Sequence, residues 1–270
     1  MDKSVEDLAL LFYKLSKSDQ QSRIDDTPES GQSFPARERS TAAPPHALVH
    51  PKVAMRVILP SETFGLRREI APLFRRVRNA MADGGGAILH ITAAEKGDGA
   101  STTARELAFA ASSGQFFRVL LIDCNVGDDD QGSAFGQELP DLVGSCLSRG
   151  HAEVAAVSVG GTSFHAAKLS PDFDPSGSRQ AARIVPNLYE TLRSAYELIV
   201  VDCPPVTEVP YFVRIAQEAP EVILVVQTGK TRMYSALRAK AEIMQAGGRL
   251  AGVVMNRHRQ FIPKFIANQL

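Results

Sequence analysis

An α/β fold, with a mainly parallel sheet and helices on both of its faces, follows from two observations on the sequence. Apolar runs at 87–92, 118–123, 197–202, 221–227 and 250–256 alternate with amphipathic stretches near 69–82, 101–113, 138–148, 178–194, 209–218 and 231–246. Within the runs apolar residues follow one another instead of alternating with polar ones. That is the pattern of strands buried on both faces, and the intervening helices supply the long crossovers that parallel pairing needs.

Taken from the N-terminus, residues 1–18 carry Val5, Leu8, Phe12 and Leu15 at helical spacing, with Ser4 and Asp7 in the relation of a capping box. They predict a short amphipathic helix. Residues 19–59 are rich in Ser, Gln, Pro and charge, include Pro44 and Pro45, and read as a flexible linker. His46 and His50 stand four apart there without a third ligand, so they read as solvated residues and not as a metal site. Residues 60–270 form the folded domain.

Thirty basic and thirty acidic residues cancel. No global field then argues for nucleic acid, and any partner must be read from local sites. Cys124, Cys146 and Cys203 lie far apart without a CxxC spacing, which fits a reducing compartment and neither a disulfide framework nor a zinc centre. The longest apolar runs are much shorter than a membrane span, and residues 1–18 lack the pattern of a secretory leader. A cytoplasmic protein is expected, with peripheral contact at the inner face of the membrane left open.

In a doubly covered parallel sheet, ligands bind beyond the carboxyl ends of the strands. The first run ends in Thr92-Ala93-Ala94-Glu95-Lys96-Gly97-Asp98-Gly99-Ala100-Ser101-Thr102-Thr103 and passes into a helix. Its two glycines let successive N–H groups turn toward one anion at a helix N-terminus. This is a P-loop-like phosphate cradle formed by Lys96, Gly97, Asp98, Gly99, Ala100, Ser101 and Thr102. A complete P-loop places lysine after the second glycine and a hydroxyl next. Here Ser101 keeps the hydroxyl for magnesium, while Ala100 replaces the ammonium. Lys96 is the nearest substitute in sequence. Asp123 and Asp202 each close a strand and supply the carboxylates that magnesium and catalysis would use. Asn256 closes the last strand, where its amide suits a base edge, although a plain turn residue explains it equally well. Gly229-Lys230-Thr231 lacks the upstream glycine and reads as a helix start.

Together these blocks resemble the bacterial tyrosine autokinases of capsule and exopolysaccharide synthesis, within the deviant-Walker P-loop ATPases. The resemblance covers roughly residues 65–260. It rests on Ile91-Thr92-Ala93-Ala94 with Gly97-Asp98-Gly99, Val119-Leu120-Leu121-Ile122-Asp123, the block from Tyr196 to Val206 with Pro204-Pro205, Gly229-Lys230-Thr231-Arg232, and Gly252-Val253-Val254-Met255-Asn256-Arg257. The resemblance implies a cytosolic protein that binds ATP or ADP with magnesium and docks on a membrane polysaccharide co-polymerase, or chain-length protein, to control polymerisation or export.

Departures from the pattern are as informative. Ala100 weakens the nucleotide site. Asn125 and Gly127 stand where the family's second loop carries Asp and Arg. The self-association motif Glu-x-x-Arg-x-x-Arg keeps Arg75 and Arg78 but has Pro72 at the glutamate position, so these arginines serve either a homo-oligomer or another acidic partner. No tyrosine follows Tyr234, leaving no cluster for self-phosphorylation. The expectation is a degenerate, pseudokinase-like regulatory protein. An active ATP-dependent tyrosine autokinase and a partition- or positioning-type ATPase switch remain as alternatives.

Overall fold

The computed structural model describes residues 49–58, 70, 73, 86–113, 118–125, 131–149, 151–159, 162–169, 188–207 and 221–257. The expected helices over 1–18, most of 69–82 with Arg75 and Arg78, and 209–218 lie outside the described residues, as does most of the expected linker.

The strands are β1 (Val49–Ile58), β2 (Ala87–Ala93), β3 (Val119–Asp123), β4 (His151–Val159), β5 (Thr162–Lys168), β6 (Leu198–Asp202), β7 (Glu221–Gln227) and β8 (Arg249–Asn256). The helices are α1 (Ala100–Ser112), α2 (Gln131–Phe135), α3 (Leu142–Arg149) and α4 (Met233–Gln245), with a further helical segment over 188–195. The eight described strands make one sheet in the order β1-β4-β5-β3-β6-β2-β7-β8. All pairings among them are parallel except β4 with β5.

Every residue of β3 and of β6 is buried, which requires cover on both faces of the sheet centre. One cover is α1. Its Ala104, Leu107, Ala108 and Ala111 recur at helical spacing and are fully buried. Three alanines in that stripe let the helix axis approach the sheet closely. Because β6 lies between β2 and β3, the β2–α1–β3 crossover spans an inserted strand. The carboxyl ends of β2, β3 and β6 are therefore neighbours, and the loop opening α1 lies beside Asp123 and Asp202.

The five strands expected from apolar runs are all present, within a residue at each end. Three others were not expected. β1 lies within the segment assigned to the 19–59 linker. It is an edge strand with register shifts near Lys52 and Met55, and an edge tolerates Pro51 because one of its sides needs no ladder bond. β4 and β5 interrupt Ala, Val and Phe with His, Glu, Ser, Thr and Lys, so neither shows a continuous run of large apolar residues. The helix expected at 138–148 is α3, which begins four residues later, while α2 lies ahead of that stretch and was not expected. Gly136, at φ 69°, ends α2, and α3 begins after Pro140.

Candidate functional site

The chain leaves β2 at Ala93 and turns at once. Asp98 N–H donates to the Glu95 carbonyl at 3.2 Å, and Glu95 N–H donates to Asp98 Oδ2 at 3.0 Å. Gly97 and Gly99 sit in the left-handed region, at φ 85° and 97°. At Gly99 a β-carbon would lie 2.0 Å from Asn256 Nδ2, so only glycine fits. Gly99 is the N-cap of α1, and its carbonyl accepts from both the N–H and the hydroxyl of Thr103. The N–H groups at Ala100, Ser101 and Thr102 belong to the first turn, where no intrahelical acceptor exists, and they carry the positive end of the helix dipole. Backbone N–H groups so placed can accept an anion.

Three side chains brace this loop, one from β8 and two from the turn between β7 and α4. Asn256 Nδ2 donates to the Asp98 carbonyl at 2.7 Å. Thr231 Oγ1 donates to Asp98 Oδ1 at 2.8 Å while accepting from Gln227 N–H at 2.8 Å. Lys230 Nζ donates to the Lys96 carbonyl at 3.2 Å. Asp98 is fully buried at the centre of the bracing. Burial raises its carboxyl above the usual range, opposed by the Thr231 and Glu95 hydrogen bonds and by the Lys230 charge.

Asn256, read as either a base-edge contact or a plain turn residue, directs its amide at the loop, donating to the Asp98 carbonyl and accepting from Arg257 N–H at 2.9 Å. Gly229-Lys230-Thr231, read as a helix start, precedes α4 by a turn and lies against the loop. The Lys96 side chain is exposed. The ammonium held at the loop belongs to Lys230, 3.2 Å from where a Gly97 β-carbon would stand. Ala100 is buried, its methyl packed into the core beneath α1.

The opposite wall is carboxylate. Asp123 and Asp202 are register partners on adjacent strands, and both are buried. Asp123 Oδ1 accepts from Asn125 N–H at 2.9 Å and Asn125 Nδ2 at 3.3 Å, and Nδ2 also reaches Ser101 Oγ at 3.5 Å. Asp123 Oδ2 accepts from Gln131 N–H at 2.5 Å. The Gln131 side chain then turns inward. Its Nε2 donates to Asp202 Oδ2 at 2.7 Å and to the Ser101 carbonyl at 2.9 Å, while its Oε1 accepts from Arg105 Nη1 at 2.9 Å. Burial, followed by the charge of Asp123, pushes the Asp202 carboxyl up to about 7 against the hydrogen bonds of Gln131 and Ser101 and the charge of Arg105.

Ser101, Asp123 and Asp202 are the oxygen donors a magnesium ion would use. As arranged, however, one oxygen of each carboxylate faces an N–H of Gln131, and an N–H cannot ligate a cation. The residue types fit the ion, and the buried Asp202 Oδ1 has no hydrogen-bond partner, while Gln131 holds one oxygen of each carboxylate. Sequence reasoning missed Gln131, which lies in no motif. It also missed Arg105, although that residue stands four positions after Ser101 and so on the same helical face. Arg75 and Arg78 lie outside the described residues.

No protein-family model matches the chain. Among curated proteins it is 27% identical over 189 residues to the tyrosine-protein kinase YwqD of Bacillus subtilis, spanning 70% of this chain and 76% of that kinase. It is 24% identical over 182 residues to the tyrosine-protein kinase CpsD of Streptococcus agalactiae, spanning 66% and 77%. Among solved structures, the kinase domain of the Escherichia coli tyrosine kinase ETK superposes with a TM-score of 0.58 at 21% identity, covering 72% of this chain and 78% of that domain. That last likeness is one of fold.

Proposed function

We propose, on the premise that the homologues of this chain are bacterial tyrosine-protein kinases, that it is a degenerate, kinase-like regulatory protein of exopolysaccharide or capsule synthesis. In this reading it binds the phosphates of ATP or ADP and acts through a membrane co-polymerase, with little or no phosphoryl transfer of its own. The observation that carries it is the pairing of a braced phosphate loop with a buried methyl, Ala100, at the lysine position.

The two halves of that observation have different consequences. Binding draws on the backbone N–H groups of Ala100, Ser101 and Thr102, which substitution of a side chain leaves in place. Transfer needs positive charge where negative charge develops, and loss of a single such donor typically costs a factor of about 10²–10³. Lys230 offsets part of the loss for binding, because its ammonium stands at the mouth of the loop. Its side chain comes from the turn before α4 and not from α1, and it is held on the Lys96 carbonyl. Asn125 supports the same reading, since an amide beside Asp123 and Ser101 supplies no second carboxylate.

Equilibrium binding of fluorescent ADP and ATP, with a parallel assay for phosphotyrosine, tests this. The full chain should bind ADP, and Lys230→Ala should weaken binding by about tenfold, the scale of one charge-assisted hydrogen bond to phosphate. Phosphotyrosine formation at the rate of an ordinary kinase, at about one turnover per second or more, would overturn the regulatory reading. Absence of ADP binding would overturn the nucleotide reading.

A further inference from the structure

Gln131 stands where a ligand would be expected, and the interactions it makes there are those of an occupant. It is fully buried and opens α2, a five-residue helix whose Phe135 packs edge-on against Phe164 of β5 with ring centroids 6.2 Å apart. That contact pins α2 to the sheet. The pinned helix presents two N–H donors of one residue to two carboxylates: the backbone N–H to Asp123 Oδ2 and the side-chain Nε2 to Asp202 Oδ2.

The orientation of the amide follows from its neighbours. Nε2 faces two acceptors, Asp202 Oδ2 and the Ser101 carbonyl, while Oε1 faces the Arg105 guanidinium. Reversing the amide would set oxygen against oxygen and NH₂ against guanidinium, losing all three bonds. The side chain therefore relays the positive charge of Arg105 toward the carboxylates through a neutral amide. In electrostatic terms this is a weak replacement for a divalent cation. Sterically it occupies Asp202 Oδ2 and leaves the buried Asp202 Oδ1 without a hydrogen-bond partner, and the N–H it presents there is one that magnesium, which takes oxygen ligands at about 2.1 Å, does not tolerate in its inner shell.

We propose that Gln131 sets the metal specificity of this site: its backbone N–H on Asp123 and its side-chain amide on Asp202 and the Ser101 carbonyl take the place of a divalent cation, so the loop receives a phosphate ligand without a metal. The proposal rests on the phosphate-loop reading for its ligand, but the occupancy of the carboxylate pair is tested with metal alone.

The experiment is a titration of the full chain with Mn²⁺, following the free-ion signal by electron paramagnetic resonance. The parent protein should leave Mn²⁺ free across the millimolar range. Gln131→Ala should bind it at least about tenfold more tightly, the scale on which groups around a metal site alter its affinity. Gln131→Glu keeps the side-chain volume, replaces the NH₂ by oxygen, and should also gain Mn²⁺, which covers the case in which the alanine variant fails to fold. Adding Asp202→Asn to either variant should abolish the gain. Parent protein binding Mn²⁺ as tightly as the variants, a gain in neither variant, or a gain that survives Asp202→Asn would each overturn the proposal. A parent that fails to bind ADP while the Gln131 variants gain Mn²⁺ would sink the nucleotide reading and leave this one standing.

Discussion

Replacing Asp202 by asparagine should make the protein more stable at alkaline pH and change little at acid pH. Asp202 is fully buried at the end of β6, and its carboxyl is raised from 3.8 to about 7, chiefly by burial and then by the charge of Asp123. Between those two values the folded protein holds a proton that the unfolded chain has released. Stability is therefore fully present below the unfolded value and falls as pH rises toward the folded one. At about 1.4 kcal/mol per unit, a shift of this size removes about 2–3 kcal/mol between pH 5 and pH 8. Asparagine has the shape of the protonated acid, its Oδ1 can still accept from Gln131 Nε2, and it does not titrate. Urea denaturation followed by circular dichroism at the two pH values measures the difference directly. Parent and Asp202→Asn should differ by about 2–3 kcal/mol more at pH 8 than at pH 5, with the variant the more stable. A difference of equal size at both values would refute the argument that burial of this carboxyl controls its charge.

The bracing of the loop makes two further predictions. Gly99→Ala should destabilise by about 2 kcal/mol or more, since its left-handed backbone disfavours a β-carbon and that carbon would collide with Asn256 Nδ2; a melting temperature within a degree of the parent would contradict this. Thr231→Val removes the donor to buried Asp98 at nearly constant volume and should cost about 1–3 kcal/mol by chemical denaturation. The same substitution should weaken ADP binding, because the glycine loop loses a brace.

The central sheet was legible because its strands are long runs of Val, Ile and Leu, and a strand buried on both faces has no other affordable composition. Val119 to Asp123 and Leu198 to Asp202 show this plainly, each closing on the carboxylate that the topology then brings to one edge. The peripheral strands were not legible. β4 and β5 break up their Ala, Val and Phe with polar and charged residues, and β1 tolerates Pro51 only because it lies at an edge, a fact about the sheet and not about the segment. Within the site, the glycine loop could be read locally because left-handed backbone and a helix N-terminus follow from adjacent residues. Lys230, 133 residues beyond Gly97, could not be placed at the loop by any local rule.

By itself, then, the sequence determined the α/β class, the glycine loop with Ala100 after its second glycine, and the two strand-ending aspartates. These depend on neighbours along the chain, where periodicity and backbone preference act. Tertiary structure decided what those groups face. It set Asn256 and Thr231 beneath the loop, Lys230 at its mouth, and Gln131 between the carboxylates. Hydrogen bonds are directional and short, so their partners are chosen by the folded geometry that brings distant residues within about 3 Å.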